Sequence, residues 1–262
     1  MTVGVSTANL YPMRTEEAFK TLLQAGFRTI EVFINTESEA TAEFAAEIRE
    51  MADSFGARIP SVHSYNSSSE AFLLFSNYQR RLEDGLKRLH QVFCASQIMG
   101  ASYVIMHGDR PGGPLSFRES VLRYGQLYDL GQKRGITLLQ ENVVHYRSAE
   151  LSYICEMRKL LKEKAQFVFD LKQSVRCGLE PGEVISAMGS GLRHVHISDN
   201  DFAHDCLVPG RGKVEYKGLF GALKENGFDG SIIIELYRNN FKNISELVEG
   251  YEFLCGIIKN IL

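Results

Sequence analysis

The sequence is short of the features that mark membranes, secretion and nucleic acid. No apolar run approaches the ~18 residues of a membrane span, so no membrane partner is expected. The N-terminal MTVGVSTANL lacks the basic-then-apolar order of a signal segment, and the expectation is a cytoplasmic protein. There is no CxxC pair. The five cysteines (Cys94, Cys155, Cys177, Cys206 and Cys255) are odd in number and widely spaced, as reduced thiols are, and do not outline a disulfide framework. Positive charge is not in excess: 29 Lys and Arg against 32 Asp and Glu give a net charge of −3, which argues against a nucleic-acid coat. No linker-like or low-complexity stretch divides the chain, and only 108–114 (GDRPGGP) is dense in Gly and Pro.

What is present is alternation. Apolar, β-branched runs suited to strands fall at 2–6, 29–34 (TIEVFI), 58–63, 103–107 (YVIMH), 137–141 (TLLQE), 166–170 (QFVFD), 193–198 and 231–235 (SIIIE). Between them lie segments of helical periodicity at 15–24, 38–55, 69–99 with a break, 116–133, 149–162, one opening at Pro181, 216–226 and 244–261. Several stop at glycines, among them Gly26, Gly56, Gly100, Gly135 and Gly227. Strands separated by helices imply a parallel sheet with right-handed crossovers. Eight such units in 262 residues fit an α/β chain closed into one (β/α)8 TIM barrel better than an open doubly wound sheet. The whole chain, 1–262, reads as a single domain.

Metal-capable side chains recur at the C-terminal ends of these strands. His63 ends the third, His107 the fourth, Glu141 the fifth, Asp170 the sixth, His196 the seventh and Glu235 the eighth. In a closed barrel these ends converge on one mouth. Counting back by twos from Glu141, Asp170 and Glu235 gives Leu139, Val168 and Ile233, which can fill the interior below them. Three carboxylates meeting there would repel unless a cation lies among them. Glu141, Asp170 and Glu235 with a nitrogen of His196 suit one divalent metal ion, Mn²⁺ or Mg²⁺, with Zn²⁺ and Co²⁺ as alternatives. For any single acid the plainer reading is a solvated loop residue or a salt bridge to Lys172, Arg211 or Arg238.

The segments GVSTANL, LLQEN, FVFDLKQ, HVHISDND, the PGRG turn and IIIELY, in this order, resemble the xylose isomerase-like barrel superfamily, within it the sugar phosphate isomerase/epimerase group that includes the ketose 3-epimerases. The resemblance implies a metal held by Glu141, Asp170, His196 and Glu235, with Glu141 and Glu235 as acid and base. It also implies a small carbohydrate substrate, sugar or sugar phosphate, with further copies of the same chain as the one protein partner to consider. Two positions depart from the family pattern. Its histidine three residues after the sixth-strand aspartate is Gln173, and the segment before the PG turn reads His204-Asp205-Cys206.

Substrate contacts are expected from His63, His107, Lys172, Gln173, His204 and Arg211. Hydrogen-bonded structural roles for the two histidines, and an ion pair for Lys172, are the competing readings. Glu31 is either a substrate contact near the end of the second strand or a buried, paired acid. His194 reads as an interior histidine, while His145 and His204 read as rim residues and His90 as surface. Aldose–ketose isomerisation and polyol-ketone dehydration would use the same parts as epimerisation. An endonuclease IV-like nuclease and a barrel that binds sugar or metal without turnover are the remaining alternatives. The nuclease would need a three-metal cluster whose extra histidines fall at Gln173 and Cys206, and more basic surface than a net charge of −3 suggests.

Overall fold

The computed structural model describes residues 1–64, 67–201 and 203–261. Phe202, inside the loop after the seventh strand, lies outside them. Eight strands form the barrel: β1 Thr2–Ser6, β2 Ile30–Ile34, β3 Ser61–Ser64, β4 Tyr103–Met106, β5 Thr137–Glu141, β6 Phe167–Asp170, β7 Leu192–Ile197 and β8 Ser231–Ile234. They run in sequence order around a closed cylinder, all parallel, with β1 hydrogen-bonded to β8. The helices are α1 Thr15–Gln24, α2 Ala42–Ser54, α3 Ser67–Leu74, α4 Gln79–Met99, α5 Phe117–Gln132, α6 Leu151–Leu161, α7 Leu171–Arg176, α8 Pro181–Met188, α9 Tyr216–Glu225 and α10 Ile244–Lys259. The expected (β/α)8 TIM barrel is the fold. No helix among the described residues is long and apolar enough to cross a membrane.

Strand parity divides the core. Val32, Val62, Val104, Leu138, Phe169, Val195 and Ile232 point outwards and pack with helix residues in one large cluster. Ile105, Leu139 and Val168 form a separate cluster inside the barrel, as the alternation predicts. The interior above and below that layer is polar: Glu31, Ser61, His63, Glu141, Asp170, His194 and His196 are all buried.

Two elements differ from their sequence-based outlines. The long region at 69–99 is two helices, α3 and α4. A short helix, α7, starts directly at the end of β6 before the one that opens at Pro181. Asp170 caps it, its Oδ1 accepting from Gln173 N at 3.0 Å. An Asp followed three residues later by Gln is an N-terminal helix signature, so this start was readable.

Candidate metal centre and active site

Each potential ligand is placed by the end of a different strand. Glu141 and Asp170 are the last residues of β5 and β6, His196 is the penultimate residue of β7, and Glu235 directly follows β8. Register puts Asp170 beside His196 and His196 beside Ile233. Asn142 clamps β5 to β6: its side chain donates to Asp170 O at 3.0 Å and accepts from Asp170 N at 2.7 Å. Glu235 N donates to Ile197 O at 3.1 Å. As a result, one ligand atom each from Glu141, Asp170, His196 and Glu235 lies within 4.8 Å of all the others. His196 Nδ1 is 3.1 Å from Glu141 Oε1, 3.5 Å from Glu235 Oε2 and 3.9 Å from Asp170 Oδ2.

The acids are unevenly compensated. Lys172 Nζ lies 2.9 Å from Glu235 Oε2 and 3.2 Å from Asp170 Oδ2. Yet Asp170 Oδ2 is buried and takes no hydrogen bond among the described residues. A buried carboxylate oxygen that shares its Lys172 ion pair with Glu235 but has no hydrogen bond, and that faces two further carboxylates and an imidazole nitrogen, fits an oxygen-rich site for a divalent cation.

The electrostatics follow from burial and these contacts. Burial raises the Asp170 pKa, Lys172 opposes the rise, and Glu141 and Glu235 add to it, leaving Asp170 at about 6. Burial would raise Glu141 too, but His107, His196 and His63 together hold it well below the usual carboxylate range. For Glu235, the Lys172 ammonium and His196 outweigh burial and lower it. Burial disfavours a charged His63, yet contact with Glu141 and the fields of Glu235 and Glu31 push it up to about 9. His63 can then donate from both nitrogens, Nδ1 to Ser64 O at 2.9 Å and Nε2 towards Glu141 Oε2 at 3.4 Å.

Four of the six expected substrate contacts line one cavity with Glu141 and Glu235: His63, His107, Lys172 and Gln173. His107 Nε2 is 3.0 Å from Glu141 Oε2. Gln173 Oε1 accepts from Val144 N at 3.2 Å, which turns its amide nitrogen to other partners. His204 and Arg211 are not brought to this cavity. His204 is exposed and paired with Asp201. Arg211 is drawn outwards to α10 by Glu246 and Glu249, each 2.9 Å away. The PGRG turn itself is pinned from below: Asp199 Oδ2 accepts from Gly210 N at 2.9 Å, and Gly210 takes a φ of +89°. Glu31 is the second residue of β2, well short of the strand's end, and it is fully buried beneath the mouth among histidines.

Sequence reasoning missed Tyr11, Phe33, Asn35 and Tyr237, which line the same cavity. Phe33 stacks on His63 with ring centroids 4.7 Å apart, and Lys172 Nζ lies 5.2 Å from the Tyr237 ring centroid. Their signal was position alone, since they lie in or just beyond the ends of strands already placed.

The model of the family described as "Xylose isomerase-like TIM barrel" matches residues 19–257. The chain belongs to this family. Among curated proteins, this xylose isomerase-like barrel is 22% identical to an uncharacterised protein of Mycobacterium leprae (strain TN), over 96% of this chain and 95% of that one. It is 24% identical to an uncharacterised protein of Mycobacterium tuberculosis (strain ATCC 25618 / H37Rv), with the same coverage. Among solved structures, a D-tagatose 3-epimerase-like protein superposes with a TM-score of 0.83 at 20% identity, covering 100% of this chain and 98% of that one. D-psicose 3-epimerase, solved in the presence of D-fructose, gives 0.80 at 15% identity over 100% and 99%. 3-Keto-D-glucoside 4-epimerase from E. coli gives 0.74 at 16% identity over 99% of both chains. At these identities the superpositions establish the shared barrel.

Proposed function

We propose that this barrel acts as one domain, an isomerase or epimerase of a small sugar or sugar phosphate that works with one divalent metal ion. The carrying observation is the convergence of Glu141, Asp170, His196 and Glu235 within 4.8 Å, with two of them also lining the cavity. The names of the superposing structures, a D-tagatose 3-epimerase-like protein, a D-psicose 3-epimerase and a 3-keto-D-glucoside 4-epimerase, support the same reading.

Glu141, Asp170, His196 and Glu235 would hold the ion. Bound there, it would supply Lewis-acid polarisation of a substrate carbonyl and so acidify the neighbouring C–H. The remaining work falls to this chain's side chains. Glu141 and Glu235 come from β5 and β8, so they approach a bound sugar from different sides. One takes the proton from carbon and the other returns one to the opposite face. Their depressed pKa values keep both ionised near neutrality, so either can take the proton, and the one that returns a proton first takes one up from solvent at the cavity. Lys172 Nζ, 2.9 Å from Glu235 Oε2, pairs with that carboxylate and holds it ionised and in place. His63 and His107 fix Glu141 and face the cavity where sugar hydroxyls would lie. Tyr11, Phe33 and Tyr237 offer apolar faces to the C–H side of a sugar ring and keep water from the reacting carbon.

A panel of ketoses in D₂O with Mn²⁺, followed by NMR, tests this reading. Deuterium entering at C3 signals epimerisation, and at C1 or C2 isomerisation. Metal bound with no exchange into any ketose would refute both. Glu141→Gln and Glu235→Gln should each reduce exchange by at least 10²-fold, the contribution of a positioned acid or base. Near-normal turnover in either variant removes that residue from the proton path.

A further inference from the structure

One turn of side chains below the ligand layer lies a polar group that the proton transfers leave unused. Glu31, Ser61 and His194 face inwards, each two residues before Phe33, His63 and His196 on the same strands. All three are fully buried. Three groups converge on a single oxygen of Glu31: its Oε2 accepts from Ser61 Oγ at 2.7 Å and lies 2.9 Å from His194 Nε2 and 3.2 Å from His196 Nε2. His196 thus bridges two layers. Its Nδ1 faces Glu141, Glu235 and Asp170, and its Nε2 faces Glu31.

Resting on the metal site proposed above, we propose that Glu31 is the positioning carboxylate of that site, holding the His196 proton on Nε2 so that Nδ1 offers its lone pair to the cation. A neutral imidazole ligates through its unprotonated nitrogen, and the hydrogen bond made by the other nitrogen decides which one that is. With the Glu141, Asp170 and Glu235 oxygens turned to the ion, the Glu31 carboxylate 3.2 Å from Nε2 is the acceptor left to make that choice. Ser61 and His194 keep the carboxylate itself from turning away. The chemistry also orders two competing sites. Glu31, His194 and His196 have atoms close enough to hold an ion among themselves. That ion would take His196 Nε2, send the proton to Nδ1 and strip the upper carboxylates of their nitrogen ligand. The upper group, with three carboxylates against one, has the stronger claim on a hard divalent cation. The two assignments require opposite tautomers of His196.

Long-range ¹H–¹⁵N spectra of protein labelled with ¹⁵N-histidine and saturated with Mg²⁺ read that tautomer directly, the His196 signals being those lost in His196→Gln. Protonation at Nε2 is expected. A Glu31→Gln variant keeps the side-chain volume but weakens the acceptor. Its Mn²⁺ dissociation constant by calorimetry should rise about 10- to 100-fold while circular dichroism stays native. Protonation at Nδ1, or a Glu31→Gln protein that binds Mn²⁺ like the wild type, overturns the inference. Should Glu31→Gln not fold, the wild-type spectrum decides alone. Failure of the underlying site has a different signature: Mn²⁺ affinity would then be unchanged by His196→Gln.

Discussion

Individual side chains in this barrel are tuned less by their type than by which oxygen or nitrogen they face. Asp170 is the clearest case, because burial between two other acids raises it to about 6 while Glu141 and Glu235 are lowered. His196 is raised as well, for the opposite reason: burial disfavours its charge, but Glu235 and Glu31 hold the imidazolium well above the ordinary histidine range. A cation entering the site must displace a proton from His196 at neutral pH, and from Asp170 as well once pH falls below about 6. Mn²⁺ uptake should therefore release about one proton per ion at pH 7.5 and about two at pH 5, and weaken as pH drops. Calorimetry in buffers of different ionisation enthalpy counts these protons, and equal release at both pH values would show that Asp170 does not titrate in the site. At this scale the sequence was only partly legible. Glu141, Asp170, His196 and Glu235 could be found because strand position fixes where they point. His63 and His107 were placed at the same mouth, but not the 3.0–3.4 Å contacts that they and His196 make with Glu141, since those depend on strands far apart in the chain.

Among the elements, strands were read more accurately than loops, and the reason is periodicity. An alternating run fixes the face of every side chain in it, so Leu139 and Val168 were correctly assigned to the barrel interior. A loop has no period, so His204 and Arg211 could be assigned to the mouth although the loop carries them to solvent and to α10. What shapes that loop is Asp199. Its Oδ1 accepts from Asn200 N and Val214 N, and its Oδ2 from Gly210 N. Gly212 is required by the same packing, because a Cβ there would lie 2.3 Å from Asp199 Oδ1 and 2.4 Å from Asn200 O. Gly212→Ala should therefore cost about 1–3 kcal/mol of stability, as overpacking of a filled site does. Denaturant melts of the two proteins measure it. A loss below a few tenths of a kcal/mol would mean that the loop relaxes freely and that Asp199 does not hold it.

Over the whole molecule, the barrel concentrates unlike charges where apolar packing would be more stabilising. The interior apolar cluster is a layer of three buried residues among buried acids and histidines, while the outer cluster carries most of the core. Stability is thus supplied between barrel and helices, and the inside of the cylinder is given over to the site. Glu31, Glu141, Asp170 and Glu235 bring four carboxylates into one buried neighbourhood, against one ammonium, Lys172, and the imidazoles. An ion that binds the folded chain and not the unfolded one stabilises it by mass action, by about 2.7 kcal/mol at a hundredfold excess over its dissociation constant. For a chain of this size that corresponds to a rise in Tm of roughly 5–8 °C. Thermal melts with Mn²⁺ and with EDTA should differ by about that much. The difference should vanish in a Glu141→Gln, Asp170→Asn double variant, which removes two ligands while keeping their volume. Loss of the shift would place the ion in this site, because cations bound elsewhere on the acidic surface would stabilise the variant equally. Identical melts of the wild type with and without metal would mean that Lys172 and the histidines already compensate the acids. The barrel would then have to polarise its substrate with those side chains alone.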